Sequence, residues 1–572
     1  MTHLLQVHTP GRPSNGMLHG RLMGKKASGA LQHLGLLGEQ AQQLPPSFIK
    51  KATGSYYTAR SVARLLSLDL IECATDEFKC KKTISVCDPF CGDGRLILEF
   101  IALWRDRVSS KVFWEISAND INTDDLDGFR PEIERILGSS TAFSLSVSKE
   151  DAMVKAASGW GEFDVVITNP PWEILKPDQR ELGFLSANDK NSYTRSLRDY
   201  GEIIGHLYPE SIPKRMFAGW GINLSRVGCD VAIKLAKSES IWGIVLPASF
   251  FADDQSERIR KRLLSSITVN RIRYYPAELK LFDSADTQAI TISGLFGKPG
   301  KSHSAFLTRH GRGLSVQDEG KVAASTYSCG NGCVIPVSQG SGAVKLSASF
   351  GQALGTWGDL EGDALWAGRE WDETGLKEHV NESGVGPFFV KGRMVERFLT
   401  IDSTPLRVCN PIRAMPKSIN YERIAWRDVS RPSQKRRIIA TIIPSGFITG
   451  NSLGVVHFFG RDPKWIRGFL GVMSATTFEF LLRSHLATGH ITLSSLRKVR
   501  IPNIMALESL VPGFHSMVDN VIQGNLRQSE IDAIVARHFY GLVLGDYTNV
   551  LRTFSHFTSD EIDEHIAAFR TA

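Results

Sequence analysis

The chain predicts a doubly wound, mostly parallel α/β sheet followed by a mixed α+β region and terminal helices. Three observations carry this. From Thr83 to about residue 300, short apolar runs alternate with helix-length amphipathic segments, the pattern of strand–helix–strand units. Beyond that, the alternation gives way to shorter, Gly-rich elements with many aromatics. At about 100 to 200 residues per domain, 572 residues are more than one core holds.

Residues 1–45 are rich in Gly, His and Gln, carry the single acid Glu39 and lack periodicity, so a flexible tail is expected. Residues 46–300 form the predicted α/β domain. Its first strand is Thr83 to Cys87 (TISVC), followed by a Gly-containing turn and a helix over Arg95 to Arg107, whose apolar residues recur at helical spacing. Further strands are predicted at Val112 to Ala118, Phe163 to Thr168, Ile241 to Leu246 and Thr287 to Leu295. Residues 301–505 form the predicted mixed domain and 506–572 a helical segment, as in Glu530 to Leu542 (EIDAIVARHFYGL).

Hydrophobic residues make up 42% and charged residues 22%, enough to bury cores and too apolar for a disordered chain. Mean hydropathy is −0.11, and no charge-free run reaches the roughly 18 residues of a bilayer span; no membrane partner is expected. Eight irregularly spaced cysteines and the lack of a signal-like apolar core predict a reducing, cytoplasmic setting. Cys329 and Cys333 have the spacing of half a zinc site, but no second pair follows, so no metal is expected.

Two constellations carry chemistry. The first is Asp88-Pro89-Phe90-Cys91-Gly92-Asp93-Gly94, set between the first strand and the helix after it. Glycines there let backbone approach a ligand, and the helix offers unpaired N–H groups and the positive end of its dipole. The third glycine of a dinucleotide fingerprint and the Lys-Ser/Thr of a P-loop are both missing, so nucleotide phosphates are not indicated. Asp120 ends the next strand, where a carboxylate can accept from ribose hydroxyls. Asp151 follows another strand and is placed to accept from an adenine amino group. Ribose recognition without a phosphate site points to an adenosyl group outside a dinucleotide.

The second constellation is Asn169-Pro170-Pro171-Trp172, directly after the strand FDVVIT. Chance would produce Asn-Pro-Pro-aromatic in a chain this long on the order of 1% of the time. Two prolines end the strand ladder and impose an extended exit. The Asn169 side chain and the Pro170 carbonyl then offer two acceptors to one cavity. An exocyclic amino group held by both has its lone pair drawn out of conjugation, which makes it nucleophilic without prior deprotonation. Trp172 supplies a face for stacking a base, worth about 1 to 3 kcal/mol.

With these residues in place, the chain resembles the gamma-type amino DNA methyltransferases of restriction-modification and phage-defence systems, over roughly residues 50 to 300. Gly54-Ser55-Tyr56-Tyr57-Thr58 is similar to the family's Gly-x-Tyr-Tyr-Thr-Pro element, with Ala59 in place of the proline. The stretch Gly243 to Pro247 with Ser249-Phe250, and Phe282 to Thr287, are similar to later family loops. The resemblance implies a Rossmann-like methyltransferase sheet followed by a target-recognition domain, with S-adenosylmethionine as cofactor. Its implied cofactor residues are Tyr57, Thr58, Asp88, Pro89, Phe90, Cys91, Gly92, Gly94, Asp120, Asp151 and Asn169. Its implied catalytic residues are Asn169, Pro170, Pro171 and Trp172, acting on adenine N6. Asn169 chemistry alone does not separate adenine N6 from cytosine N4.

Lys plus Arg number 67 against 60 Asp plus Glu, a net +7. Between Lys391 and Arg437 there are twelve basic and four acidic residues, a local +8. This predicts phosphate contacts to double-stranded DNA through Arg423, Arg427, Arg431, Lys435, Arg436 and Arg437, with the target base rotated out of the duplex. Leu493 to Ile504 (LSSLRKVRIPNI) resembles the exit of a restriction-system recognition domain. No nuclease motif stands out, so cleavage would fall to a separate restriction endonuclease or defence-system subunit. The competing readings are an RNA or protein amino-group methyltransferase and a catalytically silent DNA-recognition subunit. The long C-terminal region argues against the first and the intact Asn169 and Pro170 acceptors against the second.

Overall fold

The computed structural model describes residues 58–572 apart from short internal stretches, the longest being 178–186. The tail, Tyr57, most of the Phe282–Thr287 loop and Cys329 lie outside the described residues. The chain divides into two compact units. The first takes the described residues up to Phe250, with Asp254–Gln317 and Ala323–Cys333; the second takes Phe251–Asp253, Asp318–Val322 and Val334–Ala572.

The first unit is built on β1 (Thr83–Asp88), β2 (Phe113–Asn119), β3 (Phe143–Ser148), β4 (Phe163–Thr168), β5 (Ala236–Pro247), β6 (Ile267–Tyr275), β7 (Ala289–Phe296) and β8 (Ser304–His310). With β9 (Val316–Ala323) the sheet order is 3-2-1-4-5-7-6-8-9. Strands β3, β2, β1, β4 and β5 are mutually parallel, β7 runs antiparallel to β5 and β6, and β6 is parallel to β8. β1 and β4 are buried along almost their whole length, as befits central strands covered on both faces, whereas edge strand β3 alternates with exposed residues. Helices α1 (Arg60–Cys73), α2 (Arg95–Val108), α3 (Phe129–Leu137), α4 (Ala152–Ala157), α5 (Ala187–Leu207), α6 (Leu224–Lys234) and α7 (Glu257–Ser266) belong to this unit, with short helices at Asp76–Lys79 and Ala324–Ser328.

The sequence reads β1, β2 and β4 to within a residue or two of their ends. It misses β6, whose Arg271 and Arg273 disguise a core strand. Both arginines are buried, and Arg273 pairs bidentately with Asp69 of α1 at 2.7 Å through Nε and Nη2. Two strands beyond residue 300, β8 and β9, join this sheet.

The order reverses at β1, which has β2 on one side and β4 on the other. In an open parallel sheet the loops leaving two such strands diverge to opposite faces, so a crevice opens beyond their carboxyl ends. The loops after β1 and β4 are those holding DPFCGDG and NPPW.

In the second unit, β10 (Leu365–Gly368), β11 (Arg423–Arg427), β12 (Ala440–Ile443) and β13 (Leu453–Phe458) form a four-stranded antiparallel sheet in the order 10-13-11-12. Helices α8 (Pro463–Ser474), α9 (Thr476–Arg483), α10 (Phe514–Ile522), α11 (Gln528–Ile534), α12 (Leu544–Arg552) and α13 (Ser559–Thr571) pack with it. One apolar core runs from Trp357 and Trp426 through Phe469 and Phe478 to Phe569. The final helices therefore belong to the same core as the sheet. Among the described residues, no helix is long and apolar enough to cross a membrane.

Candidate active site

The site is assembled on the carboxyl ends of β1, β2, β3 and β4. Asp88, the last residue of β1, is fully buried. Its Oδ1 accepts from the Thr168 hydroxyl at 2.6 Å and the Phe90 N–H at 3.0 Å, while its buried Oδ2 has no hydrogen-bond partner. Burial, only partly offset by these bonds, lifts this carboxyl to about 7. The Thr168 bond ties the start of the first loop to the end of β4, one residue before Asn169.

The turn is shaped by close approach. Gly94 has φ +78°, and a Cβ there would lie 2.1 Å from the Phe129 ring of α3. The Gly92 N–H donates to Asp120 Oδ2 at 2.8 Å, so the acid after β2 steadies the turn. Asn119, buried beside it, donates through Nδ2 to the carbonyls of Pro89 at 3.1 Å and Glu150 at 3.0 Å, and its Oδ1 accepts from Ser148 at 2.7 Å. One amide thus joins the ends of β1, β2 and β3. Its only sequence signal is its place at a strand end next to Asp120.

Asp151 is the N-cap of α4: its Oδ1 accepts from the N–H groups of Met153 at 2.9 Å and Val154 at 3.4 Å. Its Oδ2 accepts from the Tyr200 hydroxyl of α5 at 2.8 Å. Burial raises its pKa despite these bonds. Both oxygens are engaged, so an adenine amino group would share one already bonded.

Asn169 is half-buried and Pro170 buried. The Asn169 Nδ2 donates to Thr58 Oγ1 at 3.2 Å. Pro170 is held by α6: a Cβ at Gly228 would lie 2.2 Å from Pro170 Cβ and 3.2 Å from Phe90 Cε2. The two loops therefore meet on one glycine, which no sequence motif marks. Trp172 is half-buried and packs against the core of the first unit. Sequence reasoning also missed Tyr200 and Arg95, which donates through Nη1 to the Thr58 carbonyl at 2.8 Å and through Nη2 to Asp93 Oδ2 at 2.6 Å.

The predicted DNA contacts fare differently. Arg423 is 0% exposed and pairs with Glu370 through Nε at 2.7 Å and Nη2 at 3.1 Å, with further bonds to the carbonyls of Tyr421, Pro444 and Phe447. Arg436 is buried against Glu479 at 2.9 Å and Asp532 at 3.3 Å. Arg437, also buried, donates to the Ser430 carbonyl at 2.8 Å. These three guanidiniums are buried and engaged with partners inside the second unit. Arg427 is half-buried and donates to the Val395 carbonyl at 2.7 Å. Lys435 is exposed and paired with Glu561, and Arg431 is exposed. Among the described residues, no group of three His, Cys, Asp or Glu is arranged to hold a metal ion.

No family model matches the chain, and no curated protein matches it. Solved structures do. The type IIL restriction-modification enzyme MmeI in complex with DNA has 11% identity and a TM-score of 0.47, covering 90% of this chain and 78% of its own. The type IIG restriction endonuclease BpuSI has 13% identity and a TM-score of 0.39, covering 90% and 66%. A type I restriction-modification methyltransferase subunit from Streptococcus thermophilus has 15% identity and a TM-score of 0.31, covering 46% and 50%. The chain thus spans about two thirds of BpuSI and half of the Streptococcus subunit. At such identities and TM-scores the likeness establishes neither fold nor activity, and both rest on this chain's own residues.

Proposed function

We propose that the chain is a site-specific DNA methyltransferase that transfers a methyl group from S-adenosylmethionine to the N6 amino group of a flipped adenine, as the modification component of a restriction or phage-defence system. The observation that carries the reading is the meeting, at the switch point of a parallel sheet, of an acidic Gly-containing turn and an Asn-Pro-Pro-Trp loop, with Phe90 and Pro170 packed on the same glycine, Gly228. The partnerless buried Oδ2 of Asp88 fits a cationic, adenosyl-bearing ligand lying along the turn. Asp88, Asp120 and Asp151, with the backbone of residues 89–94, would hold it.

S-adenosylmethionine supplies an electrophilic methyl group on a sulfonium. The protein's part is to present a nucleophile in line with that carbon. Asn169 Oδ1 and the Pro170 carbonyl accept the two N–H bonds of the amino group, which turns its lone pair toward the crevice. The positive charge that develops on nitrogen during transfer strengthens both bonds, so they stabilise the transition state more than the ground state. Trp172 offers a face to the extruded base. Arg431, exposed in the second unit, is the strongest of the six predicted candidates for a phosphate contact, and a separate restriction subunit would supply any cleavage.

The test is base-resolved sequencing of DNA from methylation-deficient cells expressing only this protein. Expected is methylated adenine at one sequence, and for Asn169→Ala a loss of about 10² to 10³ in transfer rate with S-adenosylmethionine affinity nearly unchanged. A wild-type chain that modifies no base, or a variant that loses donor binding as fully as transfer, would overturn the proposal.

A further inference from the structure

We infer that Thr58 is a positioning residue for Asn169 rather than a contact to the methyl donor. This rests on the reading above and deepens it. Thr58 is buried, and its hydroxyl oxygen accepts from Asn169 Nδ2 at 3.2 Å. An Asn amide has two faces that differ by a half-turn about its last side-chain bond, and only one presents oxygen to a given direction. An acceptor at Nδ2 selects the half-turn in which the amide oxygen points away from Thr58, the orientation the proposed reaction uses.

Thr58 is itself held. Its carbonyl accepts from Arg95 Nη1 at 2.8 Å, and Arg95 is anchored to Asp93 through Nη2 at 2.6 Å and its own N–H at 3.1 Å. The path Asp93–Arg95–Thr58–Asn169 runs from the Gly-containing turn to the amide, through a residue 111 positions away in sequence from Asn169. Orientation of the amide is thereby tied to the turn proposed to carry the donor. A purely donor-binding threonine would have no need of a bond to Nδ2.

The experiment uses the full chain and three variants. Thr58→Val keeps the shape and removes the acceptor, Thr58→Ser keeps the hydroxyl, and Arg95→Met removes the anchor while leaving Thr58 intact. Single-turnover methylation of unmodified genomic DNA at saturating donor is measured beside S-adenosylmethionine binding by calorimetry. Thr58→Val is expected to slow transfer by about ten- to a hundredfold with donor affinity within about twofold. Thr58→Ser is expected to recover most of the rate, and Arg95→Met to show a smaller loss on the rate alone. A Thr58→Val variant with wild-type rate, or one whose loss lies in donor affinity, overturns the inference while leaving the proposed activity intact. If Thr58→Val does not fold, Arg95→Met decides: no change in rate overturns the inference. Failure of the wild-type chain to methylate would instead sink the underlying activity.

Discussion

Asp88 shows how one side chain can carry both a fold and a site. Burial lifts it from 3.8 to about 7, so between these values the folded chain holds a proton that the unfolded chain has lost. Unfolding free energy therefore falls as pH rises through that window, and the loss is complete above about 7. Each tenfold gain in proton affinity corresponds to about 1.4 kcal/mol, which bounds the effect at about 4 kcal/mol. Asp88→Asn, which still accepts from Thr168 through its amide oxygen, is expected to lose this dependence. Urea unfolding of wild type and variant at pH 5 and pH 8 checks it: an equal change with pH in both would show that Asp88 does not titrate in this range.

Among the elements, α6 does the most to define the site. Asn223 caps it by accepting from the Ser225 N–H at 2.9 Å, and nearly every residue along it is buried, which fixes where Gly228 meets the two loops. Gly228→Ala would place a methyl group 2.2 Å from Pro170 Cβ. Overpacking of this kind costs about 1 to 3 kcal/mol, and relief by moving the Asn169–Trp172 loop would misplace the acceptors. The expected outcome is a modest fall in melting temperature with a larger fall in transfer rate, read by thermal unfolding beside the methylation assay. A variant with full activity would show that the loop tolerates displacement. In the second unit, α13 is held in a related way. Burial, the largest single influence, lowers the His565 pKa, but the hydrogen bond to Asp532 at 3.2 Å, the Asp532 charge and the Glu561 carbonyl together outweigh it and the net shift is upward.

At the scale of the whole molecule, the local +8 of residues 391–437 is divided between interior and surface: Arg423, Arg436 and Arg437 are buried, whereas Arg393, Lys417, Arg431 and Lys435 are exposed. Glu479 is completely buried yet held at about 2, because Arg483 and Arg436 outweigh the cost of burial. Removing one partner of such a network typically costs about 3 to 5 kcal/mol by stranding the opposite charge. Arg436→Ala is therefore expected to destabilise the second unit, whereas Arg431→Gln should leave stability alone and reduce the salt slope of DNA binding by about 1. Chemical unfolding and binding at several salt concentrations separate the two. The reverse pattern would return the buried arginines to the DNA surface. The strands β1, β2 and β4 and both loops were legible because alternation, glycine placement and paired prolines are local signals with local causes. Strand β6 was not, because Arg271 and Arg273 read as solvated until Asp69 and Glu72, some 200 positions away, pair with them. Chain order and composition thus sufficed to place an acidic turn and an Asn-Pro-Pro-Trp loop after two buried strands. Which arginines lie inside, which glycine receives Pro170 and which hydroxyl steers Asn169 depend on contacts between residues distant in sequence, and no local pattern encodes those.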